Sequence, residues 1–185
     1  VMLKVESYQP TGNADPVAFE NQIKGGAISK EYVRAVEQGI RGAATSGPLA
    51  GYPMLNVKVT LLDGKEHPVD SSDIAFEQAG ALAFNAAVEK ADPVFLEPIM
   101  RLQVSTPEEY VGAVTGDLNS RRALIRDMQL RGSYRVLLAE APLAEMFGYS
   151  TQLRSLSQGR ATSTMEPHSY AMAPAHVTEA LLRYV

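Results

Sequence analysis

A chain of 185 residues, 45% hydrophobic and 21% charged, has the composition of an ordinary folded protein, either one large domain or two small ones. It contains no cysteine, which removes disulfides and thiolate metal sites and fits a reducing compartment, and no apolar run approaches the roughly 20 residues that span a bilayer. The net charge of −4 argues against indiscriminate polyanion binding but leaves room for a local basic patch.

Residues 1 to 8 alternate as a strand, with Val1, Leu3 and Val5 on one face. A strand at the first residue, with no apolar leader, suggests a chain cut from something longer. Gln9 to Pro16 is a turn cluster, and Val17 to Ile23 is a second strand candidate. Ser29 is placed to cap a helix over Lys30 to Ala44 with Val33, Val36 and Ile40 as its buried stripe, and Ser46-Gly47-Pro48 stops it. Met54 to Leu62 alternates as a half-buried strand. Asp63-Gly64 turns the chain into an exposed loop carrying His67. Asp70-Ser71-Ser72-Asp73 then offers capping oxygens to a helix from about Ser72 to Lys90. The many alanines of that helix predict close packing against a sheet.

Asp92-Pro93 marks the expected boundary between domains 1–92 and 93–185. Beyond it, Val94 to Val104 reads as a strand, and Thr106 as the cap of a helix that begins at Pro107-Glu108-Glu109 and runs to about Arg122. Ala123 to Gln129 and Ser133 to Glu140 read as strands around the Arg131-Gly132 turn. Ala141 to Arg160 supplies a second helix, opened by Pro142 and interrupted by Gly148, a poor helix residue. Ala161 to Glu166 starts the last strand, and Pro174 opens a short helix over Val177, Ala180, Leu181 and Tyr184. The order βαββαβ predicts a ferredoxin-like unit within an α+β chain.

Charge divides unevenly: 8 Lys+Arg face 12 Asp+Glu before Pro93, and 9 face 9 after it. All nine basic residues of the second half are arginine, and seven lie between Arg121 and Arg160. The guanidinium fork suits phosphate and base edges, whereas lysine is a hydrated point charge. No phosphate-binding glycine loop, dinucleotide fingerprint, nucleophile elbow or metal-spaced histidine pair is present, so no catalytic residue, cofactor or metal is expected in this chain. His67 lies among Asp63, Glu66, Asp70, Ser71 and Ser72, where a hydrolytic cluster is conceivable but a solvated loop histidine is the simpler reading. Arg121 and Arg122 either clamp a phosphate or complement a helix C-terminus. Arg154, Ser155, Gln158 and Arg160 form either a solvated helix end or an outward display of donors.

Several runs resemble elongation factor G. Leu62-Asp63-Gly64, His67, Val69-Asp70-Ser71-Ser72, Ala75-Phe76 and Ala79-Gly80 resemble its fourth domain. Leu96-Glu97-Pro98-Ile99-Met100, Thr106-Pro107-Glu108-Glu109-Tyr110, Gly116-Asp117-Leu118-Asn119-Ser120-Arg121-Arg122 and Pro142-Leu143-Ala144-Glu145-Met146-Phe147-Gly148-Tyr149 resemble its fifth. The resemblance implies a fourth domain like domain 2 of ribosomal protein S5, followed by a ferredoxin-like fifth, both α/β sandwiches. It implies a parent GTPase that moves tRNA and mRNA through the ribosome, with GTP and Mg in an upstream domain and a cytoplasmic location. His67 then matches a tip loop that reaches the decoding centre, near A-site tRNA and mRNA. A glycine-rich partner loop is expected before Val1. Arg154, Ser155 and Gln158 match the segment facing large-subunit rRNA, with Arg160 beside it and Arg121 and Arg122 as further contacts.

The chain departs from the usual pattern at Ala123, at Met128-Gln129-Leu130-Arg131-Gly132, after Ser155 and at Met165-Glu166-Pro167-His168-Ser169-Tyr170. These departures leave a ribosome-recycling or specialised paralogue as an alternative. Outside the resemblance, a stand-alone ferredoxin-like ligand-binding module and a hydrolase built on His67 remain as other classes. The expected partner is the ribosome, with no membrane and a monomeric chain.

Overall fold

The computed structural model describes every residue except 12, 13, 184 and 185. The chain divides into two compact units, residues 1–94 with the chain's end from Ala180, and Phe95–Glu179. Each has its own apolar core.

In the first unit β1 (Met2–Ser7), β2 (Val17–Asn21) and β3 (Val57–Asp63) form a sheet in the order β1-β3-β2. β3 is central, antiparallel to β1 and parallel to β2. The crossover between β2 and β3 is α1 (Lys30–Ala44), and α2 (Asp73–Glu89) follows β3. Ser29 and Ser72 cap these helices, their hydroxyls accepting from the Tyr32 and Ala75 N–H groups. Val36, Ile40, Val59, Leu61, Phe84 and Val88 are almost wholly buried between sheet and helices. β3 starts three residues later than the alternation of Met54 suggested, because Asn56 takes a left-handed φ of 58°.

The closest approach made by α2 is to α1 rather than to the sheet. A Cβ added at Gly39 would lie 1.9 Å from the Glu77 carbonyl oxygen, and one at Gly80 would lie 2.6 Å from that of Val36. Two glycines, not the alanines, set the spacing of these helices.

In the second unit β4 (Leu96–Pro107), α3 (Val111–Ser120), β5 (Leu124–Arg131), β6 (Tyr134–Pro142), α4 (Tyr149–Leu156) and β7 (Thr162–Met172) follow in turn, and α5 (Ala175–Leu182) is the last described helix, running past the unit's end at Glu179. The four strands are antiparallel in the order β5-β6-β4-β7, the ferredoxin-like arrangement. Leu102, Val104, Leu137, Ala139 and Ala141 meet Val114, Leu118, Tyr149 and Leu153 of the helices on one face.

Two expectations need correction here. Thr106 caps no helix: it is fully buried in β4, paired with Arg135 of β6, where a β-branched residue suits the pleat. Glu108–Tyr110 form a 3-10 turn before α3. The stretch from Pro142 is not one helix. Leu143–Met146 is a 3-10 turn, and Gly148, at φ 73°, re-aims the chain before α4 starts at Tyr149. That left-handed angle is why a glycine stands there. Of the terminal stripe, Tyr184 lies outside the described residues.

Gly39→Ala or Gly80→Ala should destabilise the first unit by about 2 kcal/mol or more, since backbone must move to admit the methyl group. Urea unfolding of each variant would measure the loss.

Candidate functional site

The end of α4 is built around a serine that nothing in the sequence sets apart from its exposed polar neighbours. Ser157 is fully buried. Its hydroxyl donates to the Leu153 carbonyl at 2.7 Å and accepts from the Ala161 N–H at 3.0 Å. The backbone closes the same turn: Gly159 N–H donates to Arg154 O at 2.8 Å, and Arg160 N–H to Ser157 O at 2.9 Å. Gln158 and Gly159 both take left-handed angles, φ 53° and 78°. This is the six-to-one closure of a Schellman cap, which normally places glycine where Gln158 stands. Arg154, Ser155 and Gln158 project from this fixed turn as exposed side chains, and among the described residues their side chains make no internal hydrogen bond or ion pair. Arg160 is exposed too, but pairs with Glu109 and lies over the Tyr110 ring, 5.7 Å from its centroid. The Tyr110 hydroxyl and Glu109 hold its pKa above the ordinary arginine value.

Arg121 and Arg122 sit at the C-terminal end of α3 and face inward. The Arg121 guanidinium pairs with Asp117 at 2.9 Å, donates to the carbonyls of Glu145 at 2.6 Å and Phe147 at 3.3 Å, and lies over the Tyr149 ring. It fastens the turn that precedes α4. Arg122 pairs with Glu97, which is itself buried, and takes a left-handed φ of 59° just beyond α3. Ala123 N–H donates to Leu118 O and Arg122 N–H to Asn119 O, a second Schellman closure without glycine.

Of the seven arginines between Arg121 and Arg160, five form ion pairs inside the unit: with Asp117, Glu97, Glu140, Glu108 and Glu109. Arg131 and Arg154 are the two with no such pair among the described residues. The stretch Phe147–Met165, which contains the whole turn, holds no Asp or Glu. The only acid bonded to a residue of the turn, among the described residues, is Glu109, which is paired with Arg160.

His67 belongs to the first unit and is exposed. Its loop is closed by two bonds, His67 N–H to Ser71 Oγ at 2.8 Å and Ser71 N–H to His67 O at 3.3 Å. The loop is tied to the start of α1. Glu66 accepts from the Ser29 N–H at 2.8 Å, and the Tyr32 hydroxyl donates to Ser71 O while its ring stacks on Phe76 at 4.5 Å. Desolvation, helped by Glu66, Asp73 and Glu31, raises the Tyr32 pKa. Glu66 also lies where a helix N-terminus favours negative charge. Val69, beside His67, is 89% exposed. Among the described residues no group of His, Asp and Glu is arranged to hold a metal ion.

Two sequence comparisons decide the family. The description of elongation factor G domain IV matches residues 3–92, and that of the elongation factor G C-terminus matches residues 94–181. This chain belongs to the elongation factor G family. It is 52% identical over 174 residues to elongation factor G of Aquifex pyrophilus, a match that covers 94% of this chain and 25% of that protein. The chain thus spans about a quarter of that relative's length. A crystal structure of a Thermus thermophilus protein superposes with a TM-score of 0.88 at 40% identity, covering 98% of this chain and 27% of that one.

Ser157→Ala should cost about 1 kcal/mol, because it removes the bonds to the Leu153 carbonyl and the half-buried Ala161 N–H, and it should loosen the turn that follows. Chemical denaturation and amide exchange at Gly159 and Arg160 would show both effects. Tyr149, whose buried hydroxyl has no partner among the described residues, has its pKa pushed up to about 12 from 10.0, mainly by desolvation. The folded state therefore keeps the proton while the unfolded chain loses it. Stability present below pH 10 should fall by up to about 1.4 kcal/mol per pH unit as pH rises toward about 12. Tyr149→Phe should remove that alkaline slope, as denaturation across this range would measure.

Proposed function

We propose that this chain is the ribosome-contacting part of a translation elongation factor that promotes GTP-dependent translocation of tRNA and mRNA. Family membership supports the elongation-factor role. The observation that carries the contact assignment is the closed turn that presents Arg154, Ser155 and Gln158 without internal partners among the described residues. On this reading the turn faces large-subunit rRNA: Arg154 meets a phosphate, Ser155 and Gln158 donate to sugar or base, and Arg160 adds a cation at the rim. Arg121 and Arg122 support α4 from behind and touch rRNA at most by their edges. The His67 loop approaches the decoding centre and A-site tRNA and mRNA. GTP and Mg belong to a nucleotide-binding domain of the parent factor, which acts in the cytoplasm, and the chain itself is monomeric. Phosphate contacts release counterions, so affinity for ribosomes falls steeply with salt.

Binding of the chain to purified large ribosomal subunits across a salt titration tests this. Arg154→Ala should weaken binding and reduce the salt slope by close to one counterion. An unchanged slope would remove Arg154 from the contact. Gln158→Gly should separate stability from function. Relief of the left-handed angle should stabilise the fold by about 1 kcal/mol, while affinity for the ribosome drops. In the whole factor, His67→Ala should leave GTP hydrolysis near normal and slow translocation in stopped-flow measurements. Unchanged translocation would exclude the His67 loop.

A further inference from the structure

Phe147 is 79% exposed, although both of its apolar neighbours in the run, Met146 and Tyr149, are buried. Its exposure is not that of a loose loop. Its carbonyl accepts from the Arg121 guanidinium, its backbone is extended at φ −61° and ψ 129°, and Gly148 turns the chain immediately after it. The fold thus holds an aromatic ring in water on a fixed backbone, where little conformational freedom is left to lose on binding. Phe147 also opens the acid-free stretch. Between it and the end of α4 stand the exposed polar residues Ser150, Thr151 and Gln152, and the helix carries this strip about 9 Å from Tyr149 to Ser155.

Resting on the rRNA reading of that turn, we infer that Phe147 is a stacking platform for an unpaired nucleobase of the same RNA. An aromatic ring, hydroxyl and amide donors and an unpaired arginine, with no acid among them, form the pattern by which proteins hold single-stranded or looped RNA. An apolar pocket on a protein would also accept a phenylalanine, but it gives no reason for the acid-free strip beside it. Stacking uses the face of the ring and tolerates any base, so the contact adds affinity more than sequence choice.

Three variants at this exposed position test the inference against purified large ribosomal subunits, with circular dichroism confirming the fold. F147A and F147L should each weaken binding about tenfold. F147W should bind at least as tightly, and because the chain has no other tryptophan, its emission reports the contact directly and should be quenched on binding. Wild-type affinity in F147L with a blue-shifted, unquenched F147W signal would mean an apolar pocket and overturn the inference. Wild-type affinity in F147A while Arg154→Ala still weakens binding would remove Phe147 and leave the turn in place. If neither variant changes affinity, the rRNA assignment of the turn fails as well.

Discussion

The hydroxyl of Ser157 is a small group with a long reach. Buried between Leu153 and the start of β7, it satisfies one carbonyl of the last turn of α4 and one N–H of the segment that leaves it. Without that pair of bonds, the turn from Arg154 to Arg160 would rest on its backbone bonds alone, and the Ala161 N–H would have to find a partner in water. With it, two successive left-handed residues are held, and an arginine, a serine and a glutamine leave the surface from fixed positions. Fixing their backbone within the fold spares binding that part of the ordering entropy.

Charge in this unit follows the same logic. A count of arginines suggests a basic surface, but most of them are neutralised by acids on neighbouring elements, as Arg126 of β5 is by Glu140 of β6. Arg121 and Arg122 are the clearest cases. Each lies at the C-terminal end of α3, and their guanidinium groups bind carboxylates and the carbonyls before α4. A guanidinium already paired has less to offer a phosphate than one that is free. What distinguishes the end of α4 is thus not the number of cations but an Arg154 without an ion pair among the described residues, in a segment whose own sequence holds no acid.

Much of the fold could be read from the sequence because it is written in local chemistry. Ser29 and Ser72 precede apolar stripes at helical spacing, and the structure uses both as caps. The βαββαβ order survives with small shifts in its boundaries. The reading failed where tertiary pairing outvotes local preference. Thr106 resembles a cap, yet its pairing with β6 takes it into the sheet. Gly148 looked like a flaw in a long helix and proved to be a hinge between a 3-10 turn and α4. The polar end of that helix was visible as a cluster of donors, but Ser157 looked like any other member of it. Its spacing of four residues from both Leu153 and Ala161 was a signal, although serine at that spacing also occurs on solvated faces. The tie between Glu66 and Ser29 spans distant parts of the chain, and no local pattern announces it.

The central claim, that the turn at the end of α4 faces large-subunit rRNA, is tested most directly by cleavage from a tethered probe. The chain has no cysteine, so S155C gives a single attachment site for an iron chelate that generates hydroxyl radicals. On ribosomes, this variant should cut a confined segment of large-subunit rRNA, while the same chelate on K90C in the first unit should not cut that segment. Absence of a confined cut from S155C in a ribosome-bound chain, or the same cut from both positions, would contradict the assignment.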